Sequence, residues 1–469
     1  MTELTDEGGI AMKLNCIKLP LILLALTCSL LVAGCGSDSK SAISNQAQSV
    51  YVSPAVTVKN SDFAASITSQ VAAILSQNPL NASDWSQFLI DFGDIVKHAT
   101  YDIELRKMLY LSRRADGTSV LLSGLIILPR TSNGAKPAVP IMMYQHGTEP
   151  YRAYAPSQFL TPGHNPLDYP EVIFAVSMAM SGYAIALPDY QGLGDNTDIQ
   201  PFVHAKTLAG QVVDMLRATR DTINGTTGGI TPPCTWNGKL FLMGYSEGGF
   251  VTMAATRELQ LNHAAEFTVT ASAPMAGPHD LSGTMRNVIL ADTPFKAPYF
   301  IPFVLTSYYN IYQNASLSPD YTLSPPFNTT LPPLLNGNST AETINKAMGM
   351  SYSPVGLIVA KSVLTRQFIT DLQTTTSSMY LHLQENDTYR GWVPNMPIRM
   401  FHNPNDDLVP FANSQVAFNA FSTAGAKKWV SLAASTTTVN ISNSTVPTVH
   451  VGSAVPELHD AWSWFFNNF

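Results

Sequence analysis

Residues 239–249 read KLFLMGYSEGG, an apolar run followed by a serine with glycines on both sides. The run is typical of a buried strand, and the FVTMAATRELQ segment that follows is compatible with a helix. A serine in a sharp strand-to-helix turn crowds its own backbone, so the neighbouring positions need small residues. Such a turn lifts the serine hydroxyl clear of the sheet and directs a helix N-terminus at it. We therefore predict that Ser246 is a nucleophile.

Similar apolar runs recur along the rest of the chain. They are Val139–Tyr144, Tyr183–Leu187, Phe267–Ala273 and Ile398–Phe401. Between the second run and the one before Ser246, the side chains of Leu208, Val212 and Met215 recur at helical spacing. Buried runs that alternate with amphipathic helices predict an α/β fold, with a mostly parallel sheet flanked by helices. On such a fold we expect the reactive groups in the loops that follow the strands.

The alternation has a distinct beginning and a long interruption. Tyr101–Ser112 and Thr118–Pro129 flank an Arg-Arg-Ala-Asp-Gly turn, a pattern that predicts a β-hairpin. Residues 277–396 are rich in proline and aromatic residues and do not continue the strand and helix pattern. We predict that they form a helical cap or lid inserted between the two parts of a catalytic domain, residues 61–276 and 397–469.

Aromatic side chains are concentrated at the start of this predicted insertion, at Phe295, Tyr299, Phe300 and Phe303. They are consistent with an apolar pocket over the site, and equally with the hydrophobic core of the cap itself.

A serine hydroxyl needs a base to take its proton, normally a histidine that a carboxylate orients. The expected chain order after such a turn is serine, acid, histidine. Asp406 and Asp407 follow the apolar run at 398–401, and the D-x-x-V-P spacing favours Asp406, with Asp407 solvated or capping the next helix. Asp280, which follows the preceding run, is the alternative acid.

Two histidines near the C-terminus compete for the role of base. Apolar residues between Leu458 and Phe469 recur at helical spacing, with Pro456 as a suitable first helical residue. His459 falls inside this helix and off its apolar face, which suggests a solvated surface histidine. His450 precedes the helix, in a loop from which it could reach Ser246, so we favour His450.

Negative charge that develops on an attacked carbonyl oxygen needs preorganised hydrogen-bond donors. The backbone N–H of Glu247, directly after the nucleophile, is one candidate for this oxyanion hole. The turn at His146-Gly147-Thr148 supplies a second, with Thr148 favoured and Gly147 possible. The histidines show no metal-ligand spacing such as H-E-x-x-H, so the sequence predicts no metal site.

The N-terminal region predicts export and a lipid anchor. Residues 12–35 combine lysines, an apolar stretch too short to span a membrane and the ending Val-Ala-Gly-Cys, as in a bacterial lipoprotein signal peptide. We expect Met12 to be the true start, Cys35 to be lipidated, and residues 36–60 to form a flexible tether. Gly36 after the cysteine implies sorting to the outer membrane of the bacterial cell envelope.

Composition excludes other classes of protein. Of 469 residues, 45% are hydrophobic and 13% are charged, which does not fit a disordered chain. With 26 Lys and Arg against 33 Asp and Glu, and no basic cluster, nucleic acid is not an expected partner.

Taken together, several motifs resemble those of α/β-hydrolases, and within them the secretory lipases and related bacterial esterases. These motifs are Tyr144–Thr148, Gly182-Tyr183, Pro188–Tyr190, Gly192, Gly194-Asp195, His204–Lys206, Gly244–Ser246 and Asp406–Pro410. The resemblance covers about Tyr101 to the C-terminus. It implies the α/β-hydrolase fold, a Ser246–Asp406–His450 triad, no cofactor, and hydrolysis of a small-molecule ester or a lipid. Two departures are Glu247, beside the nucleophile, and His402-Asn403-Pro404-Asn405, where relatives often carry a glycine.

Two other functions remain to be weighed against ester hydrolysis. A serine peptidase could use the same triad on the same fold, but no group suited to binding a peptide amine stands out. A non-catalytic surface-binding lipoprotein would have no use for a serine, an acid and a histidine in this order.

Overall fold

The apolar runs of the sequence become the strands of a central sheet. A computed structural model describes residues 49–63, 65, 66, 69, 82–227, 229–352, 355–439, 446 and 448–469. The described strands are β1 (Ser49–Val52), β2 (Val56–Val58), β3 (Asp102–Arg113), β4 (Ser119–Arg130), β5 (Ala138–Gln145), β6 (Ala184–Pro188), β7 (Thr235–Tyr245), β8 (Ala271–Met275), β9 (Pro294–Phe295), β10 (Ser351–Tyr352), β11 (Val355–Gly356), β12 (Ile358–Val359), β13 (Ile398–Phe401) and β14 (Val430–Ala433).

Ten of these strands form one sheet in the order β1-β3-β4-β6-β5-β7-β8-β13-β14, with β2 also paired to β3. The predicted hairpin is the antiparallel pair β3–β4, and β4 is antiparallel to β6. From β6 through β5, β7, β8 and β13 to β14, every neighbouring pair is parallel. The predicted mostly parallel sheet is therefore confirmed.

Helices cover the sheet between the strands. The described α-helices are α1 (Ala82–Val96), α2 (Pro170–Met180), α3 (Ala205–Ile223), α4 (Glu247–Asn262), α5 (Arg286–Leu290), α6 (Phe300–Tyr312), α7 (Pro319–Thr322), α8 (Phe327–Thr330), α9 (Ala341–Ala347), α10 (Arg366–Gln373), α11 (Ser378–Glu385), α12 (Ala412–Phe421) and α13 (Val449–Asn468). Within the described ranges, no helix is both long and apolar enough to cross a lipid bilayer.

Two apolar cores lie on the opposite faces of the sheet. Successive side chains of a strand point to opposite faces, so Ile141 and Met143 of β5 enter one core while Met142 and Tyr144 enter the other. The first core includes α3, α4 and much of residues 277–396, and the second includes α1, α2 and α13. Because both faces are covered, the central strands read as continuous apolar runs rather than alternating ones.

Residues 277–396 add no strand to the central sheet among their described positions. They contribute helices α5 to α11 and two small antiparallel pairs, β9 with β12 and β10 with β11. Their apolar residues belong to the same core as α3 and α4.

The predicted tether is wrong in its second half. The predicted signal peptide at 12–35, with Cys35, and residues 36–48 lie outside the described residues. Residues 49–52 and 56–58, however, form β1 and β2, which pair with β3. The reason lies in the β-branched and aromatic residues of VYV and VTV, which suit an edge strand.

Two element boundaries also differ from expectation. Strand β8 begins at Ala271 rather than Phe267, although Phe267 and Val269 are buried as expected. Helix α13 begins at Val449, so His450 lies in its first turn and Pro456 lies in its interior. Pro456 has no N–H to donate to the Gly452 carbonyl, which accepts the backbone N–H of Val439 instead, at 2.6 Å. The helix therefore continues through a residue that was expected to begin it.

The glycines after Ser246 permit close contact between α4 and the strands. A Cβ atom added to Gly249 would collide with the backbone carbonyl of Met275 in β8, and one added to Gly248 would collide with that of Gln145. Both carbonyls belong to the sheet and cannot move independently.

We expect Gly249→Ala to destabilise the protein by on the order of 3 kcal/mol, because backbone atoms must move to admit the methyl group. Gly210→Ala in α3 is the matched control, since a Cβ there meets nothing within 4 Å. Replacing glycine by alanine inside a helix stabilises the folded protein by about 0.5–1 kcal/mol, so the control should be slightly more stable than the native protein. Urea unfolding measures both variants, and equal effects on the free energy of unfolding would contradict the prediction.

Candidate active site

Ser246 occupies the turn between β7 and α4 in a strained backbone conformation. Its φ is 60° and its ψ is −122°, a region that residues with a side chain seldom adopt. The backbone N–H of Ser246 donates to the Met275 carbonyl at 3.0 Å, and its carbonyl accepts from Phe250 at 3.1 Å. These bonds to β8 and α4 hold the turn, so the predicted strand-to-helix geometry at Ser246 is present.

The structure brings Ser246, His450 and Asp406 together in one chain of hydrogen bonds. His450 Nε2 lies 2.8 Å from Ser246 Oγ. His450 Nδ1 lies 2.5 Å from Asp406 Oδ2. The carboxylate accepts from Nδ1–H, which leaves Nε2 as the acceptor of the serine proton. Ser246 directly follows the carboxyl end of β7, and Asp406 lies in the loop after β13. His450 lies in the first turn of α13.

Each hydrogen-bond partner of the Asp406 carboxylate among the described residues donates to it. Oδ1 accepts the backbone N–H groups of Leu408 at 2.9 Å and Val409 at 2.8 Å. Burial alone would raise the pKa of Asp406, but the charge of His450 and hydrogen bonds from His402 and His450 hold this pKa well below its usual range. The carboxylate thus stays ionised and fixes the orientation of the His450 ring.

The first turn of α13 is held in place from several sides. Tyr245 donates its hydroxyl to the His450 carbonyl at 2.5 Å, and the Thr448 side chain caps the helix by accepting from Val451 at 3.0 Å. Asp407 accepts the His450 backbone N–H at 3.3 Å and forms an ion pair with Lys296 at 2.7 Å. The sequence suggested that Asp407 is solvated or caps the next helix. The structure shows instead that it binds the His450 backbone and Lys296.

His402 is a second buried imidazole against Asp406. Its Nε2 lies 2.8 Å from the Val409 carbonyl and 3.2 Å from Asp406 Oδ2. A carbonyl oxygen only accepts, so Nε2 carries the proton, and the Ser414 hydroxyl donates to Nδ1 at 2.7 Å. His402 thus contacts the same carboxylate oxygen of Asp406 as His450 does, from the end of β13 that leads into the Asp406 loop.

The two alternative residues have other structural roles. Asp280 accepts from the Thr284 backbone at 2.7 Å and from the Tyr389 hydroxyl at 3.1 Å, which caps the short turn that precedes α5. His459 is half-buried, rather than solvated as predicted, and binds Asp94 of α1 at 2.9 Å. Neither residue hydrogen-bonds to Ser246 or His450.

The turn after β5 lies beside the nucleophile, as the prediction of an oxyanion hole requires. A Cβ added to Gly147 would be 3.8 Å from Ser246 Cβ. The Gly147 N–H, however, donates to both carboxylate oxygens of Glu171 at 3.2 Å, which makes Gly147 the weaker candidate. No described residue accepts from the Thr148 N–H. Thr148 and Glu247 both line the cleft that contains Ser246.

This cleft, which we call the apolar cleft, encloses about 60 Å³, or about 670 Å³ when the open solvent at its mouth is counted. Most of its lining comes from residues 277–396, including Leu281, Phe295, Phe300, Ile301 and Val304. Of the four aromatic residues singled out in the sequence, Phe295 and Phe300 line the cleft. Phe303 instead stacks on Phe202, with ring centroids 4.4 Å apart. The four aromatic residues are therefore divided between the cleft lining and the core.

Glu247 lines the apolar cleft, and its carboxyl is influenced by two further carboxyl groups, those of Glu149 and Glu171. Glu247 is 1% exposed, and among the described residues only a marginal hydrogen bond from the Val203 backbone N–H reaches its carboxyl. Burial raises its pKa to about 8; the nearby backbone of Val203 lowers it somewhat, while Glu149 and Glu171 raise it further. Burial also raises the pKa of Glu149 to about 8, although its carboxyl accepts the Tyr151 N–H at 2.7 Å. Both carboxyl groups therefore keep their protons to higher pH than an exposed glutamate does.

The raised pKa of Glu247 predicts a pH-dependent cost to stability. An unfolded chain releases this proton near its ordinary value of 4.5, whereas the folded chain keeps it until about 8. Between these values the folded state binds more protons, so stability falls as pH rises. Glu247→Gln removes this loss, and we expect the native protein to lose on the order of 4 kcal/mol relative to the variant between pH 5 and pH 8.

Urea unfolding of both proteins at the two pH values measures this difference. Glu342→Gln, on an exposed position of α9, serves as the matched control and should show no such pH dependence. A constant difference between native protein and Glu247→Gln would contradict a buried, protonated Glu247.

Two remaining observations concern Asp189 and metal binding. Asp189 accepts from the Ser123 hydroxyl at 2.6 Å and the Ser157 N–H at 2.8 Å, so its carboxylate holds neighbouring loops rather than taking part in the triad. Within the described residues, no group of three or more His, Cys, Asp or Glu side chains is arranged to hold a metal ion.

The sequence missed the residues that position the triad from outside it. His402, Tyr245, Asp407, Lys296 and Glu171 all contact triad or oxyanion-turn residues. The departure noted at His402-Asn403-Pro404-Asn405 was the one signal available, because this segment leads directly into the predicted acid.

Comparisons with known proteins agree with the geometry. The sequence model of the secretory lipase family matches residues 168–467. No curated protein sequence matches the chain. Among solved structures, a putative hydrolase from Legionella pneumophila is 26% identical, with 81% of this chain and 94% of that chain covered and a TM-score of 0.65.

Two more distant structures share the fold. A ligand-bound form of the rice cell wall degrading esterase LipA from Xanthomonas oryzae is 20% identical, covers 90% of this chain and 98% of its own, and has a TM-score of 0.66. Candida antarctica lipase A is 16% identical over 73% of each chain, with a TM-score of 0.53. These likenesses identify the architecture as the α/β-hydrolase fold.

Proposed function

Because this chain belongs to the secretory lipase family, we propose that it hydrolyses carboxylic esters through an acyl-enzyme formed on Ser246. Its class as a carboxylic ester hydrolase follows from the family. The assignment of catalytic residues rests on one observation, the hydrogen-bond chain from Ser246 Oγ through His450 to Asp406 in the apolar cleft.

In the first half of the reaction, Ser246 Oγ attacks the ester carbonyl carbon as His450 Nε2 takes the hydroxyl proton. The tetrahedral intermediate carries its negative charge on the former carbonyl oxygen, where the N–H groups of Glu247 and Thr148 would donate. When the carbon–oxygen bond to the leaving alcohol breaks, His450 gives its proton to that oxygen. Asp406 stabilises the imidazolium and holds the ring in place throughout.

In the second half, water attacks the acyl carbon and His450 takes a proton from it. The bond between the acyl carbon and Ser246 Oγ then breaks, and the proton returns to Oγ. The products are a carboxylic acid, the alcohol released earlier and the regenerated serine.

The apolar cleft suits the hydrocarbon part of an acyl group. Its lining by Phe295, Phe300 and Val304 removes such a chain from water, which contributes about 0.8 kcal/mol for each buried CH₂ group. Affinity should therefore rise with acyl length until the cleft is filled.

The direct test is hydrolysis of p-nitrophenyl esters of increasing acyl length by the full-length protein, with matched p-nitroanilides as amide substrates. We expect kcat/KM to rise over the first few CH₂ groups and the anilides to be poor substrates. Failure to hydrolyse any ester while the protein is folded would overturn the proposal, and cleavage of anilides at a similar rate would favour a serine peptidase.

We also propose that Cys35 is lipidated and anchors the enzyme at the outer membrane of a bacterial cell envelope. The support is the sequence pattern of residues 12–35 alone. Cells that produce the full chain and are fed an alkyne-tagged palmitate should label it, and Cys35→Ala should abolish both the label and the membrane-bound fraction. Labelling of Cys35→Ala at the native level would contradict the anchor.

A further inference from the structure

The chain of contacts that begins at Ser246 continues past the proposed catalytic acid. Asp406 Oδ2 lies 2.5 Å from Nδ1 of His450 and 3.2 Å from Nε2 of His402, so two imidazole rings contact one carboxylate oxygen. The reaction described so far uses only the His450 ring. The side chains of His402 and Asp406 are both fully buried, so water does not compete for their contact.

The two other partners of the His402 ring fix its tautomer. Its Nε2 lies 2.8 Å from the Val409 carbonyl oxygen, which can only accept, so Nε2 carries a proton. The Ser414 hydroxyl donates to Nδ1 at 2.7 Å. Ser414 is a fully buried residue of α12, and it therefore holds the ring in the tautomer whose N–H lies on the side of Asp406.

The His402 ring also fixes the loop that supplies the remaining donors to the acid. Val409, whose carbonyl binds the ring, donates its own N–H to Asp406 Oδ1 at 2.8 Å. The ring thus acts on both carboxylate oxygens, on Oδ2 directly and on Oδ1 through Val409. A carboxylate held at both oxygens cannot rotate away from His450, and catalytic groups must be placed to within about 0.5 Å.

We propose that His402 and Ser414 extend the triad as positioning residues. Ser414 fixes the tautomer of His402, and His402 holds Asp406 in the orientation that His450 requires. The inference rests on the proposed ester hydrolysis, since it concerns the same acid. Neither His402 nor Ser414 lines the apolar cleft, so both act on the reaction through Asp406 rather than through the substrate.

The test replaces His402 by the two amides that match its two ring nitrogens. Glutamine places an NH₂ group near the position of Nε2, whereas asparagine reaches only the position of Nδ1. We expect His402→Gln to stay within about tenfold of the native kcat, and His402→Asn to lower kcat by about 10²-fold, the cost of a misplaced catalytic group. Ser414→Ala should lower kcat by up to about tenfold, since it removes one hydrogen bond from the ring. KM for a p-nitrophenyl ester should change little in all three variants.

A double-mutant cycle separates positioning of the acid from a general loosening of the core. Asp406→Asn has already lost the carboxylate that His402 holds, so adding His402→Asn should lower kcat by less than about threefold. A ring with a purely structural role would lower kcat by the same factor in both backgrounds. Urea unfolding of each variant gives its stability, and the kinetics are measured where that variant is folded.

His204→Asn is the matched control. His204 is also buried, and its Nδ1 lies 2.8 Å from the Thr207 hydroxyl, but its hydrogen-bond and ring contacts among the described residues include no member of the triad. It should therefore lose stability as His402→Asn does while keeping kcat close to the native value.

Neutron diffraction from crystals of the native protein tests the tautomer without any substitution, should His402→Asn fail to fold. It should locate a deuteron on Nε2 of His402 and none on Nδ1, and a deuteron on Nδ1 directed at Ser414 would overturn the inference.

The kinetic outcomes are distinct. A native-like kcat for His402→Asn, or a loss that repeats in full in Asp406→Asn, would overturn the inference and leave the proposed function intact. An equal loss of kcat in His204→Asn would ascribe the effect to the core in general. Absence of ester turnover by the native protein would overturn the proposed function itself.

Discussion

Ser246→Ala should abolish ester hydrolysis, lowering kcat by on the order of 10⁵–10⁶-fold. The variant loses the only protein atom in the proposed mechanism that forms a covalent bond to the acyl group. The remaining N–H donors and the apolar cleft still bind the ester, so residual turnover should be above the rate in water. Steady-state kinetics on the ester with the highest kcat/KM measures the loss.

The control is Ser119→Ala, which removes an exposed hydroxyl at the start of β4 and should leave kcat unchanged. A phosphonate that reacts with activated serines should label native protein and Ser119→Ala, but not Ser246→Ala. Labelling of Ser246→Ala, with activity close to native, would place the nucleophile elsewhere in the chain.

Asp406→Asn should lower kcat by about 10⁴-fold at neutral pH. Four donors surround this carboxylate: the His450 and His402 rings and the backbone N–H groups of Leu408 and Val409. An asparagine has one acceptor oxygen, so its NH₂ group must face one pair of donors. If it faces the rings, His450 can no longer keep its proton on Nδ1 and loses its ability to accept from Ser246 at Nε2.

Asp280→Asn and Asp407→Asn are the matched controls for the choice of acid. Asp280 caps a turn, so its loss should affect stability by about 1 kcal/mol and kcat little. Asp407→Asn keeps an oxygen for the His450 backbone N–H, so we expect less than about a tenfold loss of kcat. If kcat of either control fell as far as that of Asp406→Asn, the choice of Asp406 as the catalytic acid would be wrong.

Sequence patterns were informative wherever the structure depends on neighbours along the chain. The turn at Ser246 was recognised because its glycines at 244, 248 and 249 and the apolar run all stand within residues 239–249, although the collisions that these glycines avoid involve the distant strand residues Gln145 and Met275. Asp406 was found for the same reason, since a short buried strand precedes it and its own loop supplies two of its donors.

Features that depend on distant parts of the chain could not be predicted. Glu171 takes the Gly147 N–H from a helix 24 residues away, and Lys296 reaches Asp407 across 111 residues. The start of α13 was misplaced because Pro456 normally marks a first turn, whereas here the distant Val439 N–H binds the carbonyl that the proline leaves free. No local pattern encodes such partners.

The ion pair between Lys296 and Asp407 has a consequence for how this enzyme could diversify. Residues 277–396 supply most of the apolar cleft, so exchanging them with those of a relative is an obvious route to a new substrate range. The same exchange would remove the cation that binds Asp407, the acceptor of the His450 backbone N–H. A chimaera would therefore need to inherit a lysine equivalent to Lys296, or acquire a compensating change at position 407, to keep His450 correctly placed between Ser246 and Asp406.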